Sequence, residues 1–225
     1  MKITAVFDDT NTSLVSVTID NNGIKKTKSL HFSDFVKLLG KSERIVENQY
    51  THLGQMPDGY IDGYISSTED MTGRIAIFVP AAIQRMAYEN GKDSILVPYP
   101  SLILIFSFKK GKLEKTCAFS TKAQKITQIH GDTVLYRYPY GNVSPMSGAV
   151  CWGQNRFNAI QSWQEINQLV NQFITSPTNS DLYQAGTSTS LKVDLIELLR
   201  IQSSKSYFDE DILITTKRTL AECLS

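Results

Sequence analysis

The chain has 225 residues, 41% of them hydrophobic and 20% charged, with 23 Lys and Arg against 22 Asp and Glu and a formal net charge of +1. This balance gives no strong nucleic-acid signal and no basic run for a membrane surface. The apolar content suits a packed core of one ordinary domain with an extension, or two small domains, and is too high for general disorder. Asp8 and Asp9 end the first apolar stretch too early for a secretion signal. The longest apolar run, Leu102–Phe108, has the length of a buried strand and not of a membrane span. Cys117, Cys151 and Cys223 are odd in number and widely spaced, which argues against a disulfide framework and against paired-cysteine zinc binding. His31, His52 and His130 are scattered, so no metal and no cofactor are expected. A reducing cytoplasm is the expected compartment.

Ile3–Phe7, Leu14–Ile19 and the segment from Ile24 to Phe32 read as a β-meander, with a turn at Asn21-Asn22-Gly23. Ser33 reads as the N-cap of a helix carrying Phe35, Val36, Leu38 and Leu39 on one face and closed by Gly40. The polar stretch from Lys41 to Gly73 reads as connecting structure, with weak strand signals near Ile45 and Tyr60. Ile75–Val79 is a strand. Pro80 can start a helix without loss of a needed N–H, and Ala81, Ala82, Ile83, Met86 and Ala87 make a helical stripe that Gly91 ends. Val97-Pro98-Tyr99-Pro100 is extended, and strands follow at Leu102–Phe108, Leu113–Phe119 and Thr133–Tyr138. Ser162 can cap a helix with Trp163, Ile166, Leu169, Val170 and Phe173 on one face, closed by Pro177. After a Ser/Thr/Asn-rich link, a last amphipathic helix spans Leu191 to Ile201, and an apolar tail docks on the body. A helix followed by consecutive antiparallel strands is an α+β layout.

The segment from Tyr138 to Gly148 holds two Pro and two Gly and ends at Ala149-Val150-Cys151-Trp152-Gly153. It is a fixed irregular loop that delivers a single cysteine. Thiol chemistry needs an accessible sulfur, a controlled environment and donors for an oxyanion. Asn142, nine positions before Cys151, can supply such a donor through its side-chain amide. It can equally occupy a left-handed turn position, which Asn tolerates. Cys151 likewise has a bland reading as a small buried hydrophobe between Val150 and Trp152, and the Tyr cluster has one as core packing. Cys117, inside a strand, is read as structural and Cys223 as incidental.

These residues resemble the active-site segment of ubiquitin-conjugating enzymes. There a Tyr-Pro strand end leads into His-Pro-Asn and then Gly-x-Ile/Val-Cys. Here the matching residues are Tyr138-Pro139, Tyr140-Gly141-Asn142-Val143 and Gly148-Ala149-Val150-Cys151-Trp152. The likeness is greatest to a prokaryotic branch, the PRTRC system protein B family of plasmids and mobile elements, and it is specific from Leu96 to Ser176. Two departures stand out: Tyr140 and Gly141 replace the His and Pro, and the Asn–Cys interval is one residue longer than the usual eukaryotic one.

The resemblance implies a ubiquitin-conjugating-enzyme-like core at residues 74–177, built as helix, antiparallel meander sheet, Cys loop and helix. An N-terminal β-rich extension would occupy 1–73 and a C-terminal helical region 178–225. It also implies that Cys151 accepts a ubiquitin-like protein as a thioester, with Asn142 stabilising the oxyanion and Tyr138, Tyr140 and Trp152 lining a channel for the incoming C-terminal tail. The implied partners are a ThiF-like activating enzyme, a small ubiquitin-like protein and a protein substrate offering a Lys or other amine. Two other functions compete. One is a non-catalytic interaction module on the same scaffold, which a buried Cys151 sulfur would favour. The other is a Cys–His hydrolase using Cys151 and His130, which requires those side chains to meet.

Overall fold

The computed structural model describes residues 2–7, 13–42, 53–88 and 93–225. It divides into two compact units, Met1–Thr51 and His52–Ser225. In the first, strands β1 (Lys2–Phe7), β2 (Leu14–Asn21) and β3 (Ile24–His31) form an antiparallel sheet in that order, followed by helix α1 (Phe32–Ser42). Phe7 sets its ring edge-on to Phe32 at 6.2 Å and to Phe35 at 5.8 Å, and Val15 is fully buried. The expected meander and helix are both present. The helix continues past Gly40 to Ser42, because a helical glycine costs only about 1 kcal/mol. The strand signal at Ile45 lies outside the described residues.

The second unit is built on a six-stranded antiparallel sheet. Its strands are β4 (Tyr60–Ser67), β5 (Thr72–Val79), β8 (Ser101–Lys109), β9 (Lys112–Thr121), β10 (Val134–Arg137) and β11 (Thr215–Thr219), in the order β11-β10-β9-β8-β5-β4. β8 reads as an apolar run broken only at Ser107 between Leu102 and Phe108, because both of its faces are covered. Leu102, Leu104, Phe106 and Phe108 join one buried cluster, and Ile103 and Ile105 join the other. β4 corrects the reading of 41–73 as connecting structure: it pairs with β5 from Tyr60↔Ile77 to Ser67↔Thr72. The boundary between the two compact units falls at Thr51/His52.

The helix expected at Ala81–Ala87 is instead strand β6 (Ala82–Tyr88), paired along its whole length with β7 (Asp93–Tyr99). Alanine favours helix by only a few tenths of a kcal/mol per residue. Pairing in register, with Met86, Val97 and Tyr99 buried, outweighs that preference. Helix α2 (Ile166–Thr175) and helix α3 (Leu195–Ser203) pack near this hairpin, on the sheet face of the larger cluster. Asp194 caps α3 by accepting from Glu197 N, so the helix begins later than Leu191. The C-terminal region is only partly helical: β11 joins the sheet edge beside β10, and helix α4 (Leu220–Leu224) covers the opposite face of the sheet.

Tyr99, at the end of β7, forms an aromatic group with Tyr138 and Tyr140, with Tyr99 and Tyr140 ring centroids 5.2 Å apart and Tyr138 and Tyr140 5.9 Å apart. Tyr140 is fully buried, and its hydroxyl donates to Pro98 O at 2.5 Å. Burial pushes the Tyr99 phenol up from 10.0 to about 12 and raises Tyr138 and Tyr140 well above that ordinary value. The folded-state values lie above those of the unfolded chain, so the unfolded chain loses these protons first. The resulting stability is complete below about pH 10 and falls as the pH climbs towards 12. Thermal unfolding across that range should show the decline, with phenolate absorbance of these residues appearing only as the protein unfolds. Early phenolate signal in the intact fold would contradict the burial.

Candidate functional site

The cysteine loop is held by β9. β10 leaves β9 after Arg137↔Phe119, and the returning loop occupies the vacated edge. Ala118 N donates to Gly148 O at 2.8 Å, Val150 N donates to Thr116 O at 2.9 Å, and Ala149 bridges Cys117. Val143 bridges Val150, and Cys151 N donates to Asn142 O at 2.8 Å. The backbone at Cys151 is thus fixed from two sides. Gly148 makes the close return possible: its φ is +73°, and a Cβ there would lie 2.4 Å from the Phe119 ring.

The Cys151 thiol is exposed, whereas Cys117 is half-buried and Cys223 is buried. Burial raises both of these other thiols above the ordinary value, which keeps them protonated and poorly nucleophilic. Cys151 borders a pocket of about 140 Å³. Its walls come from the loop (Gly141, Asn142, Val150, Trp152), from Tyr99, Tyr138 and Phe173 below, and from the strap Ser176–Asn179 that leaves α2. The strap is anchored at several points. Thr178 N donates to Ala87 O at 2.8 Å, and Thr178 pairs with Tyr88 as an isolated parallel bridge.

Asn142 ties the loop to this strap. Its Nδ2 donates to Pro177 O at 2.6 Å, and its Oδ1 accepts from Asn179 N at 3.2 Å. Its φ is +64°, the left-handed conformation that the turn reading anticipated. The backbone and both ends of the amide are therefore engaged in shaping the site. Gly141 stands where a side chain would collide: a Cβ would meet Asn179 O at 1.9 Å and Thr178 Oγ1 at 2.5 Å.

The remaining candidates separate. Trp152 lines the pocket, donates from Nε1 to Thr116 Oγ1 at 3.0 Å, and packs on Phe157 with centroids 4.8 Å apart. Tyr138 forms part of the buried floor. Tyr140 does not line the pocket; it is a core residue, corrected from the channel role by its complete burial. The pocket walls contain no His, Asp, Glu, Lys or Arg. His130 is exposed in the turn before β10 and is not a wall residue, so no Cys–His pair forms the pocket. Among the described residues, no group of three or more His, Cys, Asp or Glu could hold a metal ion, and no helix is long and apolar enough to cross a membrane.

Sequence reasoning did not find Thr178 and Asn179, because Ser176-Pro177-Thr178-Asn179 reads as a helix stop followed by a polar link. The one available signal was the unusual Gly141, which implied a close neighbour without naming it.

A mixed α/β fold of mostly antiparallel strands, with one exposed thiol on a loop fixed to a strand edge, is consistent with the E2-like class. The chain belongs to prokaryotic E2 family D, whose model matches residues 42–215. No curated protein and no solved structure matches the chain.

Proposed function

We propose that this chain is a conjugating enzyme that accepts a ubiquitin-like protein as a thioester on Cys151 and passes it to an amine. The observation that supports this reading best is the exposed thiol at the lip of a fixed pocket, in a chain whose other thiols are partly or wholly buried. A scaffold with a non-catalytic role has no need for such exposure. The thiolate of Cys151 attacks the thioester on an activating enzyme, the carrier sulfur leaves, and the acyl group moves to Cys151. An amine then attacks the new thioester. No charged side chain lines the pocket, so the amine's proton passes to solvent or to the incoming partner. Trp152 and Val150 offer apolar surface for an extended tail.

Membership of the E2-like family supports a ThiF-like activating enzyme and a small ubiquitin-like protein as partners. The narrower relation to PRTRC system protein B rests on the Tyr-Pro, Asn-Val and Gly-x-Val-Cys runs at 138–151. Residues 1–51 form a unit of their own, and residues 1–41 lie outside the family match, which suits an added docking element.

Incubation with the activating enzyme, its ubiquitin-like protein and ATP should give a covalent adduct that reductant removes. The adduct should be absent from Cys151→Ala and should become reductant-resistant, or disappear, in Cys151→Ser. An adduct that survives in Cys151→Ala would place the acyl group elsewhere and end the proposal.

A further inference from the structure

Acyl transfer to or from Cys151 passes through a tetrahedral carbon bonded to Sγ, and the oxygen on that carbon gathers negative charge. A donor for that oxygen must border the pocket that Cys151 borders, be reachable from solvent, and have an N–H or O–H free. Most polar side chains on the pocket fail one of these conditions. Asn142 gives Nδ2 to Pro177 O and Oδ1 to Asn179 N. Asn179 bonds Asp181 through both ends of its amide, Ser176 Oγ donates to Gln172 O at 2.6 Å, and Trp152 Nε1 donates to Thr116 Oγ1 at 3.0 Å. Tyr99, Tyr138 and Thr178 are at most 5% exposed. Asn155 meets all three conditions. It borders the pocket, it is exposed, and its side-chain amide has no hydrogen-bond partner among the described residues. Its stem is nonetheless fixed. Asn155 N donates to Trp152 O at 3.1 Å and closes a turn that begins at the residue after Cys151, and the Trp152 ring is itself anchored on β9 through Thr116. The fold does not use this amide, since it bonds to nothing in the chain.

We propose that the side-chain amide of Asn155 is the oxyanion donor at Cys151, so that the donor follows the nucleophile in the chain instead of preceding it. The inference rests on the thioester reading given under Proposed function. In loading, the Cys151 thiolate attacks the carbonyl carbon of the incoming thioester, the π electrons move onto oxygen, and Asn155 Nδ2 donates to that oxyanion. The carbonyl re-forms, the old C–S bond breaks, and the carrier leaves as thiolate. In discharge, an amine nitrogen attacks the same carbon and Asn155 donates again. The bond to Sγ then breaks, Cys151 leaves as thiolate, and the amine releases its proton to water. Both steps share the oxyanion, so both depend on the donor. Removing one such donor commonly slows a step by about 10²- to 10³-fold.

The test uses the full chain and a glycine-ended peptide presented as its mercaptoethanesulfonate thioester, which loads Cys151 by thiol exchange without a partner enzyme; Cys151→Ala is the blank. Loading, discharge to free lysine, and alkylation of Cys151 by iodoacetamide are each timed. Alkylation displaces iodide from a saturated carbon and forms no oxyanion, so it reads the thiol and its loop without the donor. Asn155→Ala should slow loading and discharge together by about 10²-fold, alkylate at the wild-type rate, and melt at the wild-type temperature. Loading and discharge within about twofold of wild type would overturn the inference. So would alkylation slowed in step with acyl transfer, which would mean that Asn155 acts on the thiol or its loop and not on the oxyanion. Failure of wild type to take the peptide onto Cys151 would instead count against the conjugating reading itself, and the Asn155 inference would fall with it.

Discussion

Gly141→Ala is expected to lower stability by about 1–3 kcal/mol and acyl transfer by on the order of 10²-fold. The added Cβ would sit 1.9 Å from Asn179 O and 2.5 Å from Thr178 Oγ1. The first of these is a backbone atom that cannot rotate away. Either the strap or the loop must move, and both are walls of the pocket. Gly153→Ala is the steric control. It lies two residues after Cys151 on the lining of the same pocket and, unlike Gly141, has positive φ, at +58°, but a Cβ there meets nothing within 4 Å. It should cost about 1–2 kcal/mol in backbone strain and leave the geometry of the pocket intact. Thermal unfolding and single-turnover transfer would be measured on both variants. Wild-type stability and transfer in Gly141→Ala would show that the close approach of strap and loop is unimportant.

The second large effect concerns Asn142. Asn142→Ala should lose about 2–4 kcal/mol, the sum of two hydrogen bonds and the strain of a non-glycine, non-Asn residue in the left-handed region. Asn142→Gly removes the same two bonds but accepts φ of +64° without strain, so it should lose less. The difference between the two variants measures the backbone, and the loss that remains in Asn142→Gly measures the anchoring of the strap. Both should load and transfer poorly, because the pocket wall at Pro177–Asn179 is released in both. A direct oxyanion donor would behave differently: transfer would slow while the melting temperature stayed put. That outcome would restore the donor role to Asn142 and remove its positioning role.

Much of the strand framework was legible from sequence. The β8 run, Leu102–Phe108, is apolar at every position but one because both of its faces are covered, and it needs no neighbour to be read as a strand. The turn at Asn22-Gly23 was legible because few residues fit such a turn. β6 was misread because Ala82, Ile83, Met86 and Ala87 satisfy a helical spacing as well as an extended one, and only pairing with β7 decides between them. β4 gave only a weak signal near Tyr60 because Tyr60–Ser67 includes Gly63 and polar residues, and its identity comes from the β5 edge beside it.

The same division runs through the site. Sequence alone singled out Cys151 and Asn142 and the loop between them, because residue type and spacing are local; that the thiol is exposed and that Asn142 is left-handed came from the structure. It could not say that Tyr140 is sealed in the core while Trp152 stays at the pocket, since burial depends on what packs from elsewhere in the chain. Nor could it bring Thr178 and Asn179, more than thirty positions after Asn142, against Gly141. Local chemistry determined which atoms can react. Long-range backbone contacts, invisible in any short window of sequence, decided what surrounds them.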